Sequence, residues 1–149
     1  QVNAVSSTSN NVFITGVQLE IDNCTDFEHL PYGVELARCQ RYYFQESYTG
    51  NYELLGYATV VNTGAVEWQF FYPLSMRATP AVTINDAGNF RIGAFGNDAT
   101  VSSYATTVAR ERYAILRFNR GGTAMTVGTI AGLNTEANND AVIYFSSEL

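Results

Sequence analysis

The sequence contains no lysine: its eight basic side chains are all arginine, set against fourteen carboxylates for a formal net charge of −6. Neutralising a phosphate backbone needs a clustered excess of Lys and Arg, so this balance excludes duplex nucleic acid as a natural partner. A polybasic membrane-surface contact is excluded for the same reason. No run approaches the roughly 18 consecutive apolar residues of a membrane span, so membrane insertion is not expected. Histidine is nearly absent too. His29 is alone, so a His-based zinc cluster is impossible, and a Cys-Cys-His site would have to be gathered from Cys24, Cys39 and His29 without any C-x-x-C spacing. No GxGxxG, P-loop or GxSxG motif occurs, and without lysine the phosphate-binding lysine of a P-loop is missing outright. No cofactor, metal or catalytic centre is expected. The two cysteines permit either one disulfide or two free thiols.

What is present is apolar, aromatic and planar-polar. Hydrophobic residues make up 46% and aromatics 13% of 149 residues, enough for one domain with a real core and too much for a disordered chain. The opening QVNAVSSTSNN is Ser/Thr/Asn-rich and lacks an initiating Met, the basic start and the apolar stretch of a signal peptide. It reads as a linker at the start of an excised piece or a processed product. Val12 to Asp22 then alternates with period two, as a strand with one apolar face does. NCTDFEHLPYG, with turn residues and Pro31, reads as an irregular connection.

From Tyr32 the period changes. Tyr32, Leu36, Cys39 and Tyr43 fall at helical spacing and Pro31 suits a first turn, so one helix is expected from Tyr32 to about Arg41. The β-prone RYYFQESY run follows. Then short strands are expected at Tyr52–Val61, Ala65–Tyr72, Ala81–Asn85, Phe90–Phe95 and Thr100–Val108. RYAILRF (112–118), AMTVGTIAGL (124–133) and DAVIYF (140–145) complete the set, with Gly/Asn/Asp turns between. Spacing near ten residues, without a βαβ rhythm or a fixed repeat, is the signature of an antiparallel sandwich or barrel; the expected fold is all-β, an antiparallel sandwich, jelly-roll-like, with one short N-terminal helix.

Carboxylates at Glu53, Glu67, Asp86, Asp98 and Glu111 are scattered among these strands. A glycosidase needs two carboxyls facing across one bond, and alternate-strand carboxylates of this kind read as a solvated face. NTEANND near Asp140 carries oxygen ligands but not the residue order of a calcium loop, and reads as a turn before the last strand. Ten tyrosines, Trp68 and many Asn, Thr and Ser form a palette of non-ionic recognition, in which rings offer rigid contact area and amides offer hydrogen bonds. Carbohydrate suits that palette.

Two stretches resemble a known family. ITGVQLEIDNCTDFEHLPYGVELARCQRYYF, through Gly16 to Glu20, Phe27 to His29, Tyr32, Gly33, Glu35, Leu36 and Cys39 to Tyr43, resembles a segment in the C-terminal regions of bacteriophage tail fibres and related virion appendage proteins. FYPLSMRATPAVTI (71–84) resembles the strand pair that follows there, and the ending YFSSEL resembles the family's close. The resemblance implies residues 1–31 as a linker and leftover strand of a preceding domain, and 32–149 as a terminal β-sandwich. It implies a non-enzymatic attachment module, assembled in the host cytoplasm and carried on the virion, that binds a host cell-surface glycan or receptor. The partners it implies are two further copies of the chain and the rest of the fibre protein. The alternative within the family is a trimerisation or capping module without receptor contact. Cys39 matches a family cysteine and Cys24 does not, which weighs against a shared disulfide. Residue type nominates Trp68, Tyr72, Asn85, Asp86, Asn89, Arg91, Tyr104 and Arg112 as receptor contacts. The stripe Tyr32, Leu36, Cys39 and Tyr43 is the candidate trimer interface, or else packs on its own sheet.

Overall fold

A computed structural model describes residues 30–94, 96, 98–137 and 140–147. The chain divides into two compact units, residues 1–32 and 33–149. The expected strand Val12–Asp22, Cys24 and His29 lie outside the described residues.

Helix α1 (Tyr32–Gln40) follows Pro31, with Glu35 in its first turn and Arg38 in its last, each favourable to the helix dipole. None of its residues is buried. Strand β1 (Tyr43–Tyr48) follows after a turn closed by Tyr42 N–H donating to the Cys39 carbonyl at 2.9 Å. The remaining strands are β2 (Leu54–Asn62), β3 (Ala65–Phe71), β4 (Ala81–Ile84), β5 (Phe90–Gly93), β6 (Ala99–Ala109), β7 (Tyr113–Arg120), β8 (Ile130–Thr135) and β9 (Ala141–Ser146).

The strands form two antiparallel sheets. Six of them close into a barrel in the order β2-β3-β7-β6-β5-β8, and β1-β9-β4 form a three-stranded sheet. The all-β expectation with one short helix therefore holds, and the larger sheet has no free edge. Closure needs curvature, and register shifts supply it in β2 at Leu54/Gly56 and Val60/Asn62 and in β6 at Val101/Ser103 and Thr106/Val108.

Alternation fills the barrel. In β7, Ala114, Leu116, Phe118 and Arg120 point inward and are buried, while the residues between them are half-buried on the outer face. Val60, Val66, Trp68, Phe90, Ile92 and Leu133 complete the interior. The small sheet packs on β3 through aromatic rings. Phe145 of β9 stacks on Phe70 at 5.1 Å between centroids, meets the Tyr72 ring edge-on at 5.0 Å, and lies 6.0 Å from Phe44 of β1. Strand β9 is paired on both edges, by β1 and β4, and Ala141, Val142, Ile143 and Phe145 of its apolar run DAVIYF are buried.

Most strands lie within two residues of their expected bounds, and one differs by more. AMTVGTIAGL was expected to be strand throughout, yet β8 begins only at Ile130. The hydroxyl of Thr129 folds back on the Thr126 carbonyl at 2.7 Å and Gly128 takes φ +84°, so Ala124–Thr129 is a turn with Met125 buried beneath it.

Candidate ligand-binding site

On the outer wall of the barrel, β5 and β8 run side by side with Gly93 paired to Gly132 and Arg91 paired to Asn134. Two glycines in register remove the side chains that would stand there and leave a shallow floor. Around it Tyr52, Arg91, Gly93, Asp98 and Asn134 line a hollow of about 210 Å³. The residue paired to Gly132 on its other side is Tyr57, 71% exposed.

Tyr52 is held there by backbone geometry that the sequence pays for elsewhere in the same turn. Its φ is +54°, in the left-handed region that non-glycine residues seldom occupy. The turn around it is clamped by Thr135, which is fully buried. The Thr135 hydroxyl accepts from Glu53 N–H at 2.8 Å and donates to the Gly50 carbonyl, while Thr135 N–H donates to the Glu53 carbonyl at 2.9 Å. Glu53 closes the turn by accepting from Gly50 N–H at 3.0 Å. Asn134 then donates its side-chain amide to the Tyr52 carbonyl at 3.2 Å.

Arg91 organises the charge. Its guanidinium lies 5.2 Å from the centre of the Tyr52 ring, 3.5 Å from Asp98 and 3.2 Å from Glu136. Burial alone would raise the Glu136 carboxyl. Hydrogen bonds from the Thr100 hydroxyl at 2.6 Å and Ala137 N–H at 3.1 Å, together with Arg91, outweigh burial and hold it below its ordinary value. Arg91 is therefore fixed by two anions and a ring, and Asp98, the more exposed of the two carboxylates, keeps acceptor capacity toward solvent.

The other nominated residues lie elsewhere. Trp68 is a core residue, 6% exposed. Tyr72 is buried against Phe145, its hydroxyl has no hydrogen-bond partner among the described residues, and burial pushes its pKa up to about 12. Asn85, Asp86 and Asn89 use their side chains internally. The amides of Asn85 and Asn89 both donate to the Asp140 carbonyl, at 2.6 and 2.8 Å, and Asp86 caps the short 3-10 turn before β5 by accepting from Gly88 N–H at 2.8 Å. Tyr104 is half-buried against the barrel core. Arg112 lies on a larger groove beside Tyr72. Of the eight, the hollow contains Arg91 alone; Tyr52, Asp98, Asn134 and Gly93 join it, and Gly132 lies beside Gly93 in register. Glycine inside the expected strands at Gly93 and Gly132 is the signal that marks the place in the sequence.

The stripe Tyr32, Leu36, Cys39 and Tyr43 is solvent-facing, with Tyr32 78% and Leu36 41% exposed, and Cys39 is a free thiol. Among the described residues no group of three or more His, Cys, Asp or Glu side chains is arranged to hold a metal ion. The carboxylates nominated from the sequence are dispersed: Glu67 is paired with Arg117 at 2.6 Å, Asp98 with Arg91, and Asp86 and Glu53 serve turns. No helix among the described residues is long and apolar enough to cross a membrane. The chain matches no protein-family model, no curated protein and no solved structure. The functional reading therefore rests on the hollow itself, where a carboxylate, an amide and a guanidinium surround a bare floor beside two tyrosines.

Proposed function

We propose that this domain is a non-enzymatic attachment module of a virion fibre, a homotrimer that binds a glycan on the host surface. The observation that carries the glycan reading is the hollow over Gly93 lined by Tyr52, Arg91, Asp98 and Asn134, with Gly132 paired beside Gly93. A sugar ring presents hydroxyls at its edge and C–H groups on its faces. Asp98 and Asn134 accept from and donate to hydroxyls, Arg91 donates, and the exposed tyrosines offer flat apolar contact. The floor lets such a ring approach the backbone closely.

The exposed helical stripe favours a trimer, since Tyr32 and Leu36 present apolar area on one face of a short helix. In this reading the three-stranded sheet stacked on β3 is the sandwich-like layer of a tail-fibre terminal domain, and the virion surface is its location. A glycan array probed with the intact chain tests the proposal. Binding to a defined set of host polysaccharides, lost in Arg91→Gln, is expected. A trimer by light scattering with no glycan binding on the array or on whole host cells would overturn the receptor-binding reading and leave the trimerisation or capping role.

A further inference from the structure

A second concavity lies at the far end of the β3–β7 pair. It opens between the β6–β7 hairpin tip, Arg110–Arg112, and the segment that leaves β3. Backbone bonds fix its walls: Tyr72 N–H donates to the Arg112 carbonyl at 3.1 Å, Met76 N–H to the Glu111 carbonyl at 2.7 Å, and Arg110 N–H to the Tyr113 carbonyl at 2.9 Å. The groove has a volume of about 640 Å³, within the roughly 300–1,000 Å³ of small-molecule sites.

Its lining is chemically specific. Phe71, 65% exposed, is paired across the sheet with Tyr113, and the two rings lie 6.1 Å apart at 48°, an open aromatic angle facing solvent. Arg110 and Arg112 border it, and neither guanidinium makes an ion pair with a carboxylate among the described residues. Arg110 instead donates to the Ala109 carbonyl at 3.0 Å. In a chain of net charge −6, Arg110 and Arg112 flank Glu111 on one hairpin and give its tip a net charge of +1, a local reversal of sign. Glu111 and Thr79 share the lining and supply a carboxylate and a hydroxyl for ligand hydroxyls.

We infer that this groove binds an acidic saccharide, with the anionic substituent between Arg110 and Arg112 and a C–H face of the ring against Phe71 and Tyr113. A planar carboxylate suits guanidinium donors in pairs, so a uronic acid is the favoured form and a sugar phosphate the alternative source of the same charge. The inference shares the ligand class of the proposed function but uses no residue of the Arg91 hollow.

The test is calorimetric titration of the intact chain with a glucuronic-acid oligosaccharide, the neutral glucose oligosaccharide of equal length, glucose 6-phosphate and inorganic phosphate. The uronate is expected to bind most tightly, and to weaken about tenfold in Arg110→Gln/Arg112→Gln, the scale of charge-assisted hydrogen bonds. It is expected to weaken also as salt rises from about 50 to about 300 mM, and in Phe71→Ser. The part of uronate binding that Arg110→Gln/Arg112→Gln removes should persist in Arg91→Gln, which separates this site from the first. Both arginines are exposed, so melting curves of the double variant should match the parent within about 2 °C. Absence of uronate binding, equal affinity for the neutral oligosaccharide, an unaltered double variant, or inorganic phosphate binding as tightly as the uronate would each overturn the inference.

Discussion

Two glycines one step apart along β8 and its partner β2 should respond in opposite ways to a single methyl group. Gly56, at the register shift of β2, faces inward, where a Cβ would lie 2.6 Å from Nε1 of Trp68. That indole is buried among core residues and cannot swing away. Overpacking of this kind costs about 1–3 kcal/mol. Replacing glycine at a φ that alanine tolerates returns about 0.4–1 kcal/mol by restricting the unfolded chain. The net cost of Gly56→Ala is then about 1–2 kcal/mol. At about 4 °C per kcal/mol for a unit of this length, the melting temperature should fall by about 4–8 °C. Gly132 faces outward beside Asn134, which lines the hollow. Its Cβ would meet Asn134 Oδ1 at 2.9 Å and Leu54 Cδ1 at 3.4 Å, and both belong to side chains that can rotate toward solvent. Losing the exposed Asn134–Tyr52 hydrogen bond costs about 0.5–1 kcal/mol, which the alanine gain offsets, so stability should stay within about 0.5 kcal/mol. Gly132→Ala should nevertheless abolish glycan binding, because the methyl displaces Asn134, which lines the hollow. Thermal and urea unfolding followed by circular dichroism, with glycan binding measured on the same samples, decides the matter. Gly56→Ala as stable as the parent, or Gly132→Ala losing more than about 2 kcal/mol, would refute this placement of the two faces.

Phe145→Ala removes the ring that meets Phe44, Phe70 and Tyr72, and should cost about 3–5 kcal/mol in urea unfolding, close to the whole stability of a small domain. Glu136→Gln should cost about 1–2 kcal/mol at pH 7 through its lost bonds to Thr100 and Arg91. Because the folded-state carboxyl sits below its ordinary value, that stabilisation is present above the unfolded value near 4.5 and is lost as pH falls through the folded one. Melting temperatures of parent and variant should therefore converge as the pH is lowered below that range. Leu36→Asp, on the exposed helical stripe, should leave the melting temperature of the monomeric fold within about 2 °C while light scattering reports loss of the trimer.

Local pattern carried most of the strand positions. The alternation of YAILRFNR appears unchanged as the inward and outward faces of β7, and the i, i+4, i+7 spacing after Pro31 as α1. Closure of the barrel was not legible, because it depends on β8 pairing with both β2 and β5, a long-range choice that alternation leaves open. Trp68 illustrates how residue type misleads when read without phase: Glu67 and Gln69 take the outward positions of β3, so the indole between them is turned inward. Arg91, nominated by type and position, lines the hollow. Tyr52 was not, since its orientation comes from a turn clamped by Thr135, 83 residues later in the chain and fully buried. The free arginines of the β6–β7 hairpin became meaningful only once the ion pairs of Arg91 and Arg117 were known.

The central claim is that the Gly93–Gly132 hollow takes a sugar ring. Its most direct test is an amide chemical-shift map of the isotope-labelled intact chain titrated with the best neutral glycan from the array. The account predicts saturable shifts centred on Tyr52, Gly93, Asp98, Gly132 and Asn134, absent in Gly132→Ala. Shifts confined to other surfaces, or identical shifts in the variant, would contradict it.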